Sequence, residues 1–276
     1  MKLKRRRTLW ATAALTALLA ALYCNSALER EDWTVTSSRL PDAFSGLRIT
    51  LLTDLHGARY GPDTRKLLEA VAQSEPDLIA ISGDLADEAT NLPGLEPLVT
   101  GLAELAPTYF VTGNHEWARG DTEALLKQLE DWGVTVLRNS YVTLEREGQT
   151  LVLAGVEDPN GYPDMQTPDE VLERVRREVP GDPYVVMLCH RNNTLDLWAA
   201  LEADLVLAGH GHGGVIRLPF VGGLLSVDRT LFPKDCEGLY TKGRTTLAVS
   251  RGLGGIRLWN RPHLPTLVLR TAHSGR

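Results

Sequence analysis

Five short runs of this chain, each rich in apolar residues, stop at side chains able to bind a metal or move a proton. Residues 47–53 run into Asp54 and His56, and residues 78–82 into Gly83-Asp84. Residues 109–112 run into Gly113-Asn114-His115-Glu116, residues 184–189 into His190, and residues 205–208 into Gly209-His210-Gly211-His212. Short, nearly continuous apolar runs are the mark of parallel strands buried on both faces. In open α/β sheets, sites assemble at the carboxyl ends of such strands, so groups far apart in sequence can converge there. Each ending alone has a bland explanation: a turn at Asp84, a cap at Asn114, a core histidine at His190. Five coincident endings make the conjunction of bland explanations improbable. In an extended chain Asp54 and His56, two residues apart, point the same way and can share one ion. Taken alone, His210 and His212 read as two ligands chelating a single metal. Five of the seven histidines are spent at these ends, and His263 and His273, near the tail, read as surface residues.

Between the runs, apolar spacing of the helical period predicts helices over 64–74, 95–105, 122–132, 168–179 and 193–203. Past Gly133 the texture changes to closely spaced strands, with Glu147-Gly148-Gln149 turning a hairpin. Strands alternating with helices in both halves imply an α/β fold of two packed sheets with helices outside. A chain of 276 residues can bury one substantial core. Its net charge of -6 argues against a nucleic-acid partner held on a broad basic surface. Cys24, Cys189 and Cys236 are too few and scattered for a disulfide framework or a zinc-thiolate cluster.

The amino end has a different character. Lys2, Lys4, Arg5, Arg6 and Arg7 precede residues 9–23, which carry no charge. Those fifteen residues fall short of the roughly 20 that span a bilayer comfortably. The basic cluster would stay cytoplasmic, which predicts a single N-terminal signal-anchor at the cell membrane with the remaining chain on the extracytoplasmic side. Export after cleavage is the alternative. The expected organisation is an anchor or export segment over 1–27, a polar linker over 28–45 carrying Pro41, and one catalytic domain over 46–272.

The motifs Asp54-x-His56, Gly83-Asp84, Gly113-Asn114-His115-Glu116, His190 and Gly209-His210-x-His212 resemble, in order, the five signature blocks of the calcineurin-like metallophosphoesterases. Residues 41–49, 213–219 and 250–254 resemble a narrower subgroup, the small bacterial exported or membrane-anchored phosphodiesterases. The resemblance implies a four-layer α/β/β/α sandwich of two mixed sheets with helices outside. It implies two divalent metal ions, with manganese, iron, zinc and cobalt equally suited to the mixed nitrogen and oxygen donors. Asp54, His56 and His212 would hold the first ion, Asn114, His190 and His210 the second, and Asp84 would bridge both. Two divalent cations bring four positive charges, of which Asp54, Asp84 and a bridging hydroxide return three. The remainder suits an anionic phosphoester, and a neutral Asn114 preserves it.

The implied reaction is hydrolysis of phosphoesters, most readily phosphodiesters, by attack of the metal-bridging hydroxide on phosphorus. His115 would face the substrate as an acid or charge stabiliser, oriented by Asp87, with Glu116 as the alternative partner. Arg191 and Arg251 are candidate phosphate contacts, and Glu157-Asp158 either line the cleft or form a turn. The one departure is Gly211, where the subgroup has threonine, and looser loop geometry is expected there. A small-molecule or lipid phosphoester substrate, membrane contact through the N-terminal segment and a monomeric state complete the reading. Two alternatives stay open: a pyrophosphatase acting on nucleotide-linked lipid precursors of the UDP-diacylglucosamine type, and a metal-binding scaffold without catalysis.

Overall fold

A computed structural model describes residues 2–162, 165–218, 221–227, 229–255 and 257–272; His273 lies outside the described residues. In chain order the elements begin with α1 (Lys2–Ser26), β1 (Glu29–Ser37), β2 (Arg48–Leu52), α2 (Arg65–Ala72), β3 (Leu78–Ser82), α3 (Glu96–Leu105) and β4 (Thr108–Val111). They continue with α4 (Asn114–Ala118), α5 (Thr122–Asp131), β5 (Thr135–Val136), β6 (Ser140–Arg146), β7 (Gln149–Gly155) and α6 (Pro168–Glu178). The second half adds β8 (Tyr184–Leu188), α7 (Leu195–Ala200), β9 (Leu205–Ala208), β10 (Ile216–Leu218), β11 (Gly222–Leu225), β12 (Gly238–Lys242), β13 (Thr245–Val249) and β14 (His263–Thr271).

Two six-stranded mixed sheets result, in the orders β1-β14-β2-β3-β4-β5 and β12-β13-β9-β8-β7-β6. Strands β2 to β5 run parallel in the first sheet, and β7, β8, β9 and β13 run parallel in the second. Their inner faces pack together through Ile49, Leu51, Ala80 and Val111 against Leu153, Val186, Leu188, Leu205 and Leu207. Leu67 of α2, Leu98 and Leu102 of α3 and Leu125 and Leu129 of α5 cover the first sheet's outer face. Val171 and Val175 of α6 and Trp198 of α7 cover the second. This is the α/β/β/α sandwich expected. Every residue of β2 after Arg48, and all of β3, β4, β8 and β9, is buried. That double burial is why those runs read as continuous apolar stretches rather than alternating ones. Helix α6 shows the local logic of the outer layers: Pro168 opens it, and Glu170 accepts the Thr167 amide at 2.9 Å to close a capping box.

Two expectations fail. Residues 28–45 are not a linker: β1 pairs in parallel with β14 along its whole length, and Trp33, Val35, Leu40 and Phe44 are buried in the inter-sheet core. The segment's charges sit on its exposed positions, and this half-buried alternation disguised an edge strand as polar chain. His263 is not a surface residue either. It is fully buried at the start of β14, with Nε2 3.3 Å from Glu31 and its ring against Trp33.

Helix α1 ends beside this edge, where Arg261 donates to the Ala27 and Leu28 carbonyls and lies over the Tyr23 ring. Among the described residues no helix is long and apolar enough to cross a membrane. Leu9, Trp10, Leu15, Leu18 and Leu19 of α1 are exposed.

If residues 29–44 belong to the domain, Phe44→Ala should destabilise it by about 3–5 kcal/mol, the usual loss for a fully buried phenylalanine. Urea unfolding checks this, and a change below about 1 kcal/mol would mark the segment as peripheral.

Candidate metal centre

The polar strand ends converge on one edge of the sandwich. The loops after β2, β3 and β4 deliver Asp54, His56, Asp84, Asn114 and His115 from the first sheet. Those after β8 and β9 deliver His190, His210 and His212 from the second. Asp54, His56 and His212 form one group and Asp84, His190 and His210 another, the donor atoms of each lying within 4.8 Å of one another, and His115 meets the same distance with His56 and Asp84. Asn114 joins the second group, its Oδ1 3.1 Å from His190 Nε2. Asp84 faces both: its Oδ2 lies 3.1 Å from His190 Nε2 and 3.9 Å from His56 Nε2. His210 and His212 therefore part company, one to each group, rather than chelating together.

Surrounding hydrogen bonds fix these donors. The Nδ1–H of His190 donates to the Ser82 carbonyl at 2.9 Å, which leaves Nε2 aimed into the cluster. Asp54 accepts the His210 amide on both oxygens, at 2.9 and 3.1 Å. Asn260 donates to the carbonyls of His212 and Gly214 at 2.5 and 3.1 Å and so holds the histidine loop. Glu116, wholly buried, accepts the amides of Asp84, Ala86 and Gly113 at 2.9, 3.0 and 2.7 Å, stapling the β3 loop to the β4 loop. Burial, the nearby Asp84 adding to it, pushes the Glu116 carboxyl up to about 7 against those donors.

The loop backbones are bent hard to achieve this. Asp54, His56, Asp84, His210 and His212 have φ of 51°, 49°, 52°, 63° and 49°, all in the left-handed region. Asp54 and His56 thus do not share a face through extended alternation, as their spacing suggested; a left-handed turn brings them together. Such residues cost on the order of 1–3 kcal/mol each and cluster where a site over-determines them. Aspartate and histidine bear the conformation better than branched residues do. The neighbouring glycines serve close approach. A Cβ on Gly209 would sit 2.5 Å from Asp54 Oδ2, and one on Gly113 2.2 Å from Asp84 Oδ1.

Electrostatics suit cation binding. Burial holds His212 down at about 3 and His210 at about 4, so both keep free lone pairs at neutral pH; Arg257 adds to the first shift, and His190 and Arg191 to the second. Burial opposes charge on His190 too, but Asp84 outweighs it and raises that group to about 9, so a cation taken up there displaces a proton from Nε2. Two carboxylates, four imidazoles and one amide oxygen, arranged as two groups with Asp84 facing both, fit two borderline divalent ions.

His115 stands at the rim, edge-on to His56 with ring centroids 4.8 Å apart. Its Nδ1 lies 2.9 Å from Glu88. Burial lowers its pKa, but Glu88 and then Asp84 outweigh that, and the group stays above its ordinary value. The carboxylate against His115 is therefore neither Asp87 nor Glu116. Asp87 accepts from Thr90 and the Ala89 amide, within its own turn. Asp87 and Glu88 are adjacent acids, and only the turn decides which one faces the ring.

The two candidate phosphate arginines are also committed elsewhere. Arg191 grips Asp158 through two bonds of 2.6 and 3.0 Å, and its Nη1 lies 3.2 Å from His210 Nε2. Arg251 pairs with Glu237 at 2.9 Å and with Glu29 at 2.5 Å. Asn260 carries no signal in the sequence that marks it as part of the site.

A family model described as calcineurin-like phosphoesterase matches residues 47–214, which span all five strand ends. The chain belongs to the calcineurin-like phosphoesterases. The phosphodiesterase YaeI of Escherichia coli is 29% identical over 280 residues, covering 97% of this chain and 99% of the relative. A transmembrane protein with metallophosphoesterase domain from Bos taurus is 31% identical over 253 residues, covering 85% of this chain and 55% of that one. Among solved structures, NAD nucleotidase NadN of Haemophilus influenzae superposes with a TM-score of 0.51 at 14% identity, over 75% of this chain and 50% of that one. That likeness concerns the fold. The phosphoesterase is a metal-dependent phosphoric ester hydrolase of a family that uses two metal ions.

Gly211 is not loose, as the missing threonine suggested. A Cβ there would lie 2.8 Å from the Asn192 amide nitrogen, which donates to the Asp235 carbonyl at 2.7 Å. Asn192 has filled the space. Gly211→Thr should break this tie, lower stability by about 1 kcal/mol and speed amide exchange near Asp235, without loss of bound metal. The same substitution in an Asn192→Ala background should be close to neutral; equal effects in both backgrounds would refute the steric account.

Proposed function

We propose that this phosphoesterase hydrolyses phosphodiesters at the centre built around Asp84. The carrying observation is that one carboxylate faces the histidines of two separate donor groups. Asp54, His56 and His212 would hold one ion, Asn114, His190 and His210 the other, with Asp84 shared. When bound, two divalent ions supply positive charge for the phosphoryl oxygens and lower the pKa of a shared water.

The remaining work falls to the chain. The hydrogen bonds of His190 to Ser82 and of His210 to Asp54 hold the donors in place before substrate arrives. His115, held above its ordinary pKa chiefly by Glu88, is placed to give a proton to the departing ester oxygen. Glu88 acts through His115: it orients the ring and favours the protonated form. The name of the YaeI relative, a phosphodiesterase matched along almost the whole chain, supports diesters over monoesters.

The decisive experiment measures hydrolysis of bis(4-nitrophenyl) phosphate with added manganese. The wild-type protein should turn over, and Asp84→Ala should fall to background. His115→Ala should keep both metals while losing turnover by about 10²–10⁴-fold, the usual worth of a positioned acid. His190→Ala should instead lose one equivalent of metal. Equal metal loss in the two variants would sink the assignment of His115, and wild-type rates no higher than those of Asp84→Ala would sink the enzymatic reading.

We also propose that residues 1–27 tether the domain at the cell membrane, with its centre on the extracytoplasmic side. The five cations at Lys2, Lys4, Arg5, Arg6 and Arg7, the uncharged stretch behind them and the exposed apolar side chains of α1 support this reading. The Bos taurus relative's name is consistent with it. In cells, the protein should sediment with membranes and be cleaved by protease added outside the cytoplasmic membrane. A protected, membrane-free protein would overturn the proposal.

A further inference from the structure

Beside the second donor group lies a cleft of about 260 Å³ that the metal chemistry does not use. His190 and Arg191 contribute to its lining, and Arg191 Nη1 lies 3.2 Å from His210 Nε2, so the cleft borders the candidate metal centre. Its outer wall is apolar: Pro159, Tyr162 and Met165 come from the loop after β7, and Leu197 and Trp198 from α7. Gly161 makes this wall possible, since a Cβ there would fall 2.2 Å from the Met165 methyl and 2.9 Å from the Trp117 ring. Tyr162 then stands edge-on to Trp117, with centroids 5.1 Å apart.

The cleft's carboxylates and its arginine are paired with one another or with neighbours, and Gln166, Thr167 and Thr194 add to its polar lining. Asp158 is held by two bonds from Arg191, which in turn spends its fork on that carboxylate. Glu157 accepts from Asn139 at 3.0 Å and from Arg138 at 3.3 Å. Burial raises the Glu157 carboxyl despite the arginine. The described lining therefore offers neither a free cation for a second phosphate nor a free acid for an amine. Tyr162 and Leu197 are nevertheless 52% and 43% exposed at the mouth, large apolar surface left in water. Burying such surface under an apolar group is favourable, which rewards a hydrocarbon substituent and not a polar one.

We infer that this cleft is a specificity pocket for an alkyl or aryl group esterified to the substrate phosphorus, so that the preferred substrate is a phosphodiester with one hydrophobic alcohol. The inference rests on the phosphodiesterase reading above. With phosphorus between the two donor groups, an ester substituent directed past Arg191 reaches the cleft, while a charged substituent finds no unpaired charge there.

The test uses the full chain loaded with manganese and a series of alkyl 4-nitrophenyl phosphates, methyl, butyl and hexyl, all releasing the same nitrophenol. The expected result is a kcat/KM at least tenfold higher for the hexyl than for the methyl ester, carried mainly by KM. Leu197→Gln and Tyr162→Ser, both at exposed positions, should cut that hexyl-to-methyl ratio at least threefold while leaving methyl-ester turnover within twofold of wild type. A flat ratio in the wild type, with all three esters hydrolysed, overturns the pocket and leaves the phosphodiesterase reading standing. Absence of turnover on every ester defeats that reading itself. A hexyl preference that both variants retain places the hydrophobic subsite elsewhere and overturns the assignment to this cleft.

Discussion

The hydrogen bond from His190 Nδ1 to the Ser82 carbonyl joins the end of a strand in one sheet to the end of a strand in the other. Beside it, the Ser82 hydroxyl donates to the Leu207 carbonyl at 3.1 Å, a second tie between the sheets. The centre is split across the sandwich, with Asp54, His56, Asp84 and Asn114 on one sheet and His190, His210 and His212 on the other. Two independent sheets could pack at many offsets. These ties at the strand ends, together with the interlocked inner faces, hold the halves of the donor set in register. A shift of about an ångström between sheets would separate Asp84 from His190, which stand 3.1 Å apart.

The strain in the loops follows from the same constraint. Parallel strands aim their chains outward at the sheet edge, and a donor must be turned back toward the centre within two or three residues. Five left-handed aspartate and histidine residues accomplish this. Glu116 and Asn260 hold the bent loops by satisfying backbone groups that such turns leave without partners. Burying a carboxylate is costly, and at Glu116 three amide donors offset it. The rim differs in kind. His115 and Glu88 face solvent and are free to meet a ligand, and the apolar cleft beside His190 is bounded by carboxylates already paired off.

Much of this was legible from residue types and order. Fully buried parallel strands produce continuous apolar runs, and side chains able to bind metal stand at their ends, so the layers and the five converging strand ends could be read from the residues, while the resemblance implied which of them are donors. The misses share a cause. The β1 strand looked like a linker because one of its faces is solvated. His263 looked peripheral because position near a terminus says nothing about burial. The resemblance pointed to Asp87, with Glu116 as the alternative, and spacing cannot tell that a turn will instead aim the neighbouring Glu88 at the imidazole. Arg191 and Arg251 looked available because their carboxylate partners lie 33 and 14 or more residues away.

Residue types and their order set the chemistry available: which candidate donors exist, that they stand at strand ends, and that their mixture of carboxylate, imidazole and amide suits divalent ions. These are local properties of composition and period, and they need no knowledge of distant contacts. The family resemblance already implied two donor groups with Asp84 between them; what folding alone settled is that Glu88 rather than Asp87 addresses His115, and that a cleft with paired carboxylates in its lining opens beside His190. Both depend on how loops from different strands are turned against one another, which is set by tertiary packing and leaves no trace in residue spacing.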